Sequence, residues 1–358
     1  MSIIELTKDF VNKIIEIEKK RMEIGRNLRN ADLSNAGEEV LEKKTFFRIE
    51  KSSLEKNSIA GVDGGMVKKS LHGIDIILLR AVGVIFYFKN KRIEKVDYHP
   101  NSIPIPKPII LFDPFSELEF EINSNMERQT IETKTAIEMI EKFKPDVLFL
   151  NGSIVPHYTE RPSENSLLFP TYKKMIDSYK ELLKEAIKRG VVLAGVIEDS
   201  RGKRFCEIMS NTLPMEEKTS VLLERTKDTN ILTYMLEKNE RSLVFSYSSN
   251  PSNHPVLKEF GIFSQKIFSF YLRPSEFERP IRIDFIEDKD APKTANEISS
   301  LILALSGDSS YGIPSVLIEA DQRARLSEEE IELFYSSLKD MAGNLSSLFE
   351  LRRNQRPF

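Results

Sequence analysis

Asp63 closes the apolar run of SIAGVDGGMV, the pair Glu198-Asp199 closes VVLAGVI, and Glu132 lies inside the helical stretch ERQTIETKTAIEMIEKF. Carboxylates delivered by separate elements to one edge of a sheet are what hard divalent cations require, because Mg²⁺ and Mn²⁺ prefer oxygen ligands. Two such ions activate water and stabilise the leaving oxygen of a phosphodiester. The chain holds 55 Asp and Glu, so caps and solvated turns also put acids at element ends. Helical spacing separates the two glutamates of this stretch. Position 132 shares a stripe with Ala136, Ile140 and Phe143, whereas Glu127 lies on a more polar line with Ile131, Thr135 and Glu138. Glu132 is therefore the one expected to face a sheet. Asp63-Gly64-Gly65 reads in two ways. It is a hairpin turn, or a strand-end carboxylate whose glycines let metal and scissile phosphate come close.

Two smaller features belong to the same chemistry. Asn151, in LNGS after a buried strand, offers a neutral oxygen to a metal, although Asn-Gly is also a turn signal. RGKRF puts Arg201, Lys203 and Arg204 just beyond Asp199, as a phosphate clamp or as a solvated helix start. His72, His99, His157 and His254 are scattered, with no metal-ligand spacing among them.

The elements that must position these residues follow from periodicity. A helix is expected over 2–27 and a polar, helical connection over 28–44. Strands are expected at 58–63, 74–88 and 92–98, the last two joined by a KNKR hairpin loop. Pro104, Pro106, Pro108 and Pro114 mark an irregular crossing. Helices at 117–143 and 170–189 then precede strands at 146–150 and 191–197. This strand–helix–strand order, with continuous apolar strands, signals a central sheet covered by helices. Residues 216–238 read as helical, 242–247, 266–272 and 280–286 as strands, and 293–306 and 327–349 as helices.

Composition narrows the partners. The 358 residues carry a net charge of only −3, with 30% charged, so nucleic acid is not gripped by bulk charge and any contact comes from local patches. One cysteine, Cys206, excludes an intramolecular disulfide and a cysteine zinc cage, and fits a reducing, cytoplasmic setting. The charged amphipathic start is not a signal peptide, and no apolar run reaches membrane-spanning length.

Four stretches, taken in order, resemble the NurA family of archaeal and bacterial nucleases that process DNA ends with a HerA helicase-translocase. They are AGVDGG with the long β stretch after it; a helical Glu132 nineteen residues before Asn151; GVIEDSRGKRF; and YGIPSVLIEADQRARLS. The resemblance implies an α/β, RNase H-like fold with a mixed central sheet flanked by helices and additional N- and C-terminal helices. It divides the chain into a helical extension (1–56), a nuclease domain (57–330) and a C-terminal helix with a basic tail (331–358). It further implies a homodimer around a DNA channel and a site with two Mn²⁺ or Mg²⁺ ions. Activity as a 5′-3′ exonuclease and single-strand endonuclease in end resection and recombinational repair is implied as well, with single strands and duplex ends as substrate and a HerA-type hexamer as partner.

Carried over by position, Asp63 and Glu132 match the first two acidic ligands. Asn151 stands where the family has an Asp, and Asp199 or Asp321 completes the shell. Asp321 occupies the place of a family His, and Ile313 that of a Tyr, with Tyr311 nearby. Arg201, Lys203, Arg204 and Arg323 are the expected DNA contacts. Two alternatives stand beside this one. The chain is a non-catalytic end-binding or helicase-regulating subunit, or an actin-like sugar kinase, whose first strand also reads GVDGG but which normally opens with it.

Overall fold

The computed structural model describes residues 3–34, 36–112, 115–156, 161–307 and 311–343. The chain runs α1 (Ile3–Leu28), β1 (Phe46–Arg48), β2 (Ser58–Ser70), β3 (Ile74–Lys89), β4 (Arg92–His99), β5 (Lys107–Phe112), α2 (Glu117–Phe143), β6 (Val147–Asn151), α3 (Phe169–Arg189) and β7 (Val192–Ile197). It continues α4 (Arg204–Thr212), α5 (Glu217–Arg225), α6 (Asp228–Met235), β8 (Glu240–Ser242), β9 (Phe245–Ser246), β10 (Ile267–Arg273), β11 (Ile281–Ile286), α7 (Ala291–Leu305), α8 (Ser315–Ala324) and α9 (Glu328–Ala342). Contacts divide it into two compact units. The first comprises residues 1–54, 194–254 and 262–315, the second 55–193, 255–261 and 316–358. His157 and the basic tail LRRNQRPF lie outside the described residues.

The second unit is built on a mixed sheet. β2 pairs parallel with β6 and antiparallel with β3, and the far edge of β3 carries β4 along one half and β5 along the other. The turn between β3 and β4 places Asn90 and Lys91 at φ 53° and 65°, the left-handed pair of a tight hairpin. Helix α2 starts on a capping box, Ser116 with Glu119, and stops where Lys144 turns left-handed at φ 47°. α3 ends the same way on Gly190, at φ 69°. Opposite strand faces receive different helices. Gly83, beside Val62, makes room for Met139 of α2, while Gly61 makes room for the backbone of α8 at Val316. Leu71, Ile74, Ile76 and Leu78 pack with Ile331 and Tyr335 of α9. The architecture is the RNase H-like one: a mixed sheet between helices.

The first unit is an antiparallel sheet in the order β1-β8-β10-β11-β7, with β9 also against β10. Its core joins Ile24 and Leu28 of α1 to Phe205, Met209, Leu232, Phe245 and Tyr271.

Several expectations are corrected. Asp63 neither ends a strand nor starts a turn, since β2 runs through Gly64 and Gly65, which pair with Ala81 and Arg80. The connection after Leu28 is irregular, held by a bridge from Val40 to Phe245. The proline-rich crossing contains β5, which among the described residues pairs with β3 alone, so Pro108 forgoes a bond on an edge strand. The helix over 216–238 is two short ones.

Candidate active site

The strand alternation of β2 puts Gly61, Asp63 and Gly65 on the α8 face, and Val62, Gly64 and Met66 on the α2 face. A Cβ on Gly64 would lie 2.5 Å from Glu132 Cγ, and one on Gly65 would lie 2.1 Å from the carbonyl oxygen of Ala324. The glycines are there for packing. Gly64 lets Glu132 of α2 reach across the strand to the neighbourhood of Asp63, and Gly65 lets the end of α8 close down on the other side. Arg80, on the α8 face, fixes that closure by donating to the carbonyls of Pro104 and Arg325 (2.8 and 2.9 Å) and to Glu330 (2.5 Å).

Asp63 and Glu132 are buried, at 6% and 8% exposure. Asp63 Oδ1 accepts from the Gly64 N–H (2.7 Å), and Oδ2 accepts from Asn151 Nδ2 (3.1 Å) at the end of β6. Arg128, one turn before Glu132 on α2, donates from Nη1 to Glu132 Oε1 and, at 3.5 Å, to the Gly64 carbonyl. Burial pushes the Asp63 carboxyl up to about 6, the Asn151 and Gly64 hydrogen bonds restrain it, and the Asp321 charge adds to the rise. Burial pushes Glu132 up to about 8 despite Arg128, with Asp63 raising it further. Two neighbouring carboxylates thus share one guanidinium, a deficit of positive charge that a cation would offset.

The donor set fits a hard divalent ion in its chemistry: two carboxylates and an amide. Among the described residues no group of three or more His, Cys, Asp or Glu is placed to hold a metal ion. Asp321 is exposed on α8. Arg323 is engaged with Glu319 (2.8 Å), and its guanidinium lies 5.4 Å from the Tyr98 ring centroid.

Asp199 belongs to the first unit. There it lines a cavity of about 220 Å³ with Glu198, Arg201, Lys227, Thr229 and Arg279. Tyr311 Oη lies 3.3 Å from both carboxylate oxygens of Glu198. The loop after β7 is held by buried groups, and the space a Gly202 Cβ would need is taken by Arg282 and Tyr271. Arg201 and Lys203 are exposed. Arg204 is ion-paired with Glu39 and Glu207. Arg128 is the site residue that sequence reading missed. The stripe 132, 136, 140 extended back by one turn reaches it.

The NurA domain family matches residues 57–326. The chain belongs to the NurA family. Among solved structures, the NurA nuclease from Sulfolobus solfataricus is 18% identical, covering 93% of this chain and 97% of its own, with a TM-score of 0.55. A NurA structure with manganese is 12% identical, covering 94% and 99%, with a TM-score of 0.58. A further NurA structure is 12% identical, covering 97% and 100%, at 0.53. These likenesses establish the shared fold. No curated protein matches the chain.

Proposed function

We propose that this NurA-family chain is a nuclease, a divalent-metal-dependent deoxyribonuclease whose centre is Asp63, Glu132 and Asn151. The observation that carries the reading is the buried Asp63–Glu132 pair with too little positive charge around it. An ion bound there, manganese or magnesium, supplies the charge that activates water and offsets the leaving oxygen. Asp63, fixed by the Gly64 N–H and the Asn151 amide, holds its carboxylate in one orientation. Glu132, threaded past Gly64, presents the second carboxylate from the helix side. Asn151 keeps its amide oxygen for an ion while its nitrogen orients Asp63. Asp199 and Asp321 are the proposed further ligands of a two-ion site. Arg201, Lys203 and Arg323 are the proposed phosphate contacts, with Arg204 available only after leaving Glu39.

DNA ends and single strands are the proposed substrate, cut in the 5′-3′ direction and endonucleolytically during end resection and recombinational repair. A HerA-type hexamer is the proposed partner in the cytoplasm. The nuclease function is assigned to 57–330, with 1–56 and 331–358 as flanking extensions. A homodimer is supported by the exposed Phe10, Val11, Ile14 and Ile15 of α1. Sedimentation of a chain lacking residues 1–27 tests that role, and an unaltered oligomer rules it out.

The deciding experiment is cleavage of an end-labelled DNA in Mn²⁺, with and without Asp63→Ala. Loss of cleavage in a folded variant supports the reading, and full residual activity defeats it. A second reading, a non-catalytic DNA-binding subunit, is favoured by Asn151 in place of an acid. It predicts DNA binding with no Mn²⁺-dependent cleavage in the wild type. Family membership leaves the sugar-kinase alternative without support.

A further inference from the structure

Arg128 has a position that the ligand set alone does not explain. It stands four residues before Glu132 on the same face of α2, where a carboxylate–guanidinium pair ordinarily does no more than lend modest support to a helix. Here the pair is turned inward. Nη1 makes both the bond to Glu132 and the one to the Gly64 carbonyl, and the guanidinium charge also acts on Asp63. Arg128 therefore supplies positive charge to both carboxylates offered to an ion, by direct bond to Glu132 and at longer range to Asp63. Its side chain is still 28% exposed. Nη2 and Nε make none of these bonds, and they form the fork that grips a phosphate.

We propose that Arg128 is an exchanging counter-charge, which holds Glu132 in the metal-free site and turns to a phosphate of the substrate when a divalent ion takes the carboxylates. The proposal rests on the nuclease reading and deepens it. A guanidinium and a divalent ion compete for the same two acids and repel each other at contact range. Arrival of the ion therefore releases Arg128 from Glu132. The nearest favourable destination is the polyanion that the ion itself recruits. Arg128 then weakens metal binding when DNA is absent and strengthens DNA binding when metal is present. Metal and DNA consequently bind with positive coupling, and the coupling is reciprocal.

The test measures binding in the full chain, so that its readout does not depend on catalysis. Mn²⁺ affinity is measured by calorimetry without DNA. Affinity for a fluorescent single-stranded oligonucleotide is measured in Ca²⁺, with its integrity checked on a gel. Arg128→Met should tighten Mn²⁺ by about tenfold and weaken the oligonucleotide by about tenfold. Arg128→Lys keeps the charge and loses the fork, so its Mn²⁺ affinity should stay near wild type while DNA weakens severalfold. Opposite signs in Arg128→Met are the signature. If both affinities fall, or neither moves, in variants with wild-type circular dichroism, Arg128 is a structural pair and the proposal is overturned. A wild type that binds Mn²⁺ and cleaves, beside such variants, overturns the role of Arg128 alone. A wild type that binds no Mn²⁺ overturns the nuclease reading, and this proposal with it.

Discussion

In the first unit, Arg241 is fully buried and its donors are answered. Nη1 and Nη2 each donate to Glu42 at 2.7 Å, Nη1 also to the Ser242 carbonyl at 2.8 Å, and Nε to Asn296 at 2.7 Å. Glu42 also accepts from the Val244 N–H at 2.8 Å. Asp228, equally buried, accepts from the N–H groups of Phe205 and Cys206 and from Tyr271 Oη, all within 3.0 Å. In the second unit, Asp63 and Glu132 are nearly as buried, yet the charge of Asp63 acts against Glu132 and the one guanidinium at hand, Arg128, is bonded to Glu132 alone. Both are pushed toward protonation. Buried charge that is fully partnered holds a fold, whereas buried like charge left short of a partner is held ready for something else. The difference between the two regions is open to measurement.

The largest effect is expected where partnering is complete. Arg241→Met leaves Glu42 buried without its cation and should cost about 3–5 kcal/mol of unfolding free energy. Urea denaturation of the metal-free protein reads this directly. A loss under 1 kcal/mol would show that Glu42 finds water or protonates cheaply, and the contrast between the regions would weaken.

Next in size are the glycines that shape the candidate site. Gly65→Ala would drive a Cβ to 2.1 Å from a backbone carbonyl, and the backbone of α8 cannot step aside as a side chain can. Overpacking of this kind costs about 1–3 kcal/mol, and Gly65 should lie at the upper end. The atoms nearest a Cβ at Gly64 are those of the Glu132 side chain, so Gly64→Ala should cost less stability while lowering cleavage more, because Glu132 is displaced. If the two variants rank the same in melting temperature and in cleavage, the glycines do not divide packing from chemistry.

How much of this was legible in the sequence depends on whether a residue's neighbours lie close in the chain. α2 has the expected bounds, 117–143, because its cap, its stripe and its C-terminal turn are all local signals. Asp63-Gly64-Gly65 departs from both of its readings, turn and strand end, for the complementary reason. Asp-Gly is a turn signal locally, but Glu132 and Ala324, distant in sequence, require glycine within a straight strand. β5 was hidden by its prolines, which an edge strand tolerates. α8, ten residues long, is not among the helices expected from the sequence. Arg128 could have been found by helical spacing, while the partners of Asp228 could not.

Comparable to the glycines is the effect of removing charge from the candidate site. The folded-state value of Asp63 is raised from 3.8 to about 6, and that of Glu132 from 4.5 to about 8. A raised carboxyl contributes stability below its unfolded value and loses it as pH climbs through its folded value. Metal-free protein should therefore lose stability from these two groups between about pH 4 and pH 8. Asp63→Asn and Glu132→Gln should be more stable than wild type at pH 8, by about 1–3 kcal/mol, with no gain near pH 4. Mn²⁺ should raise the melting temperature of wild type more at pH 8 than at pH 5.5, since protons compete with it for the same oxygens. Thermal denaturation across pH decides. Neutral variants that are less stable at every pH would mean the two carboxylates are as well partnered as Asp228.

The smallest effect concerns Asn151, and it asks how far the charge deficit extends. Its Nδ2 donates to Asp63, which an aspartate cannot do without a proton. Asn151→Asp therefore removes a hydrogen bond that restrains Asp63 and adds a third acid beside the first two. Without metal, both changes raise the carboxyl values further and should cost about 1 kcal/mol at pH 8. With metal, the extra charge meets the ion, and Mn²⁺ should bind about tenfold more tightly. Cleavage titrated against Mn²⁺ then separates two cases. If Asp321 already supplies the missing charge, Asn151→Asp changes the maximal rate little and Asp321→Ala lowers it. If nothing supplies it, Asn151→Asp raises the rate and Asp321→Ala leaves it unchanged. The first outcome is expected, because the charge of Asp321 already acts on Asp63, and an exposed carboxylate can turn toward an ion at little cost. Identical titrations for wild type and Asp321→Ala would remove Asp321 from the site.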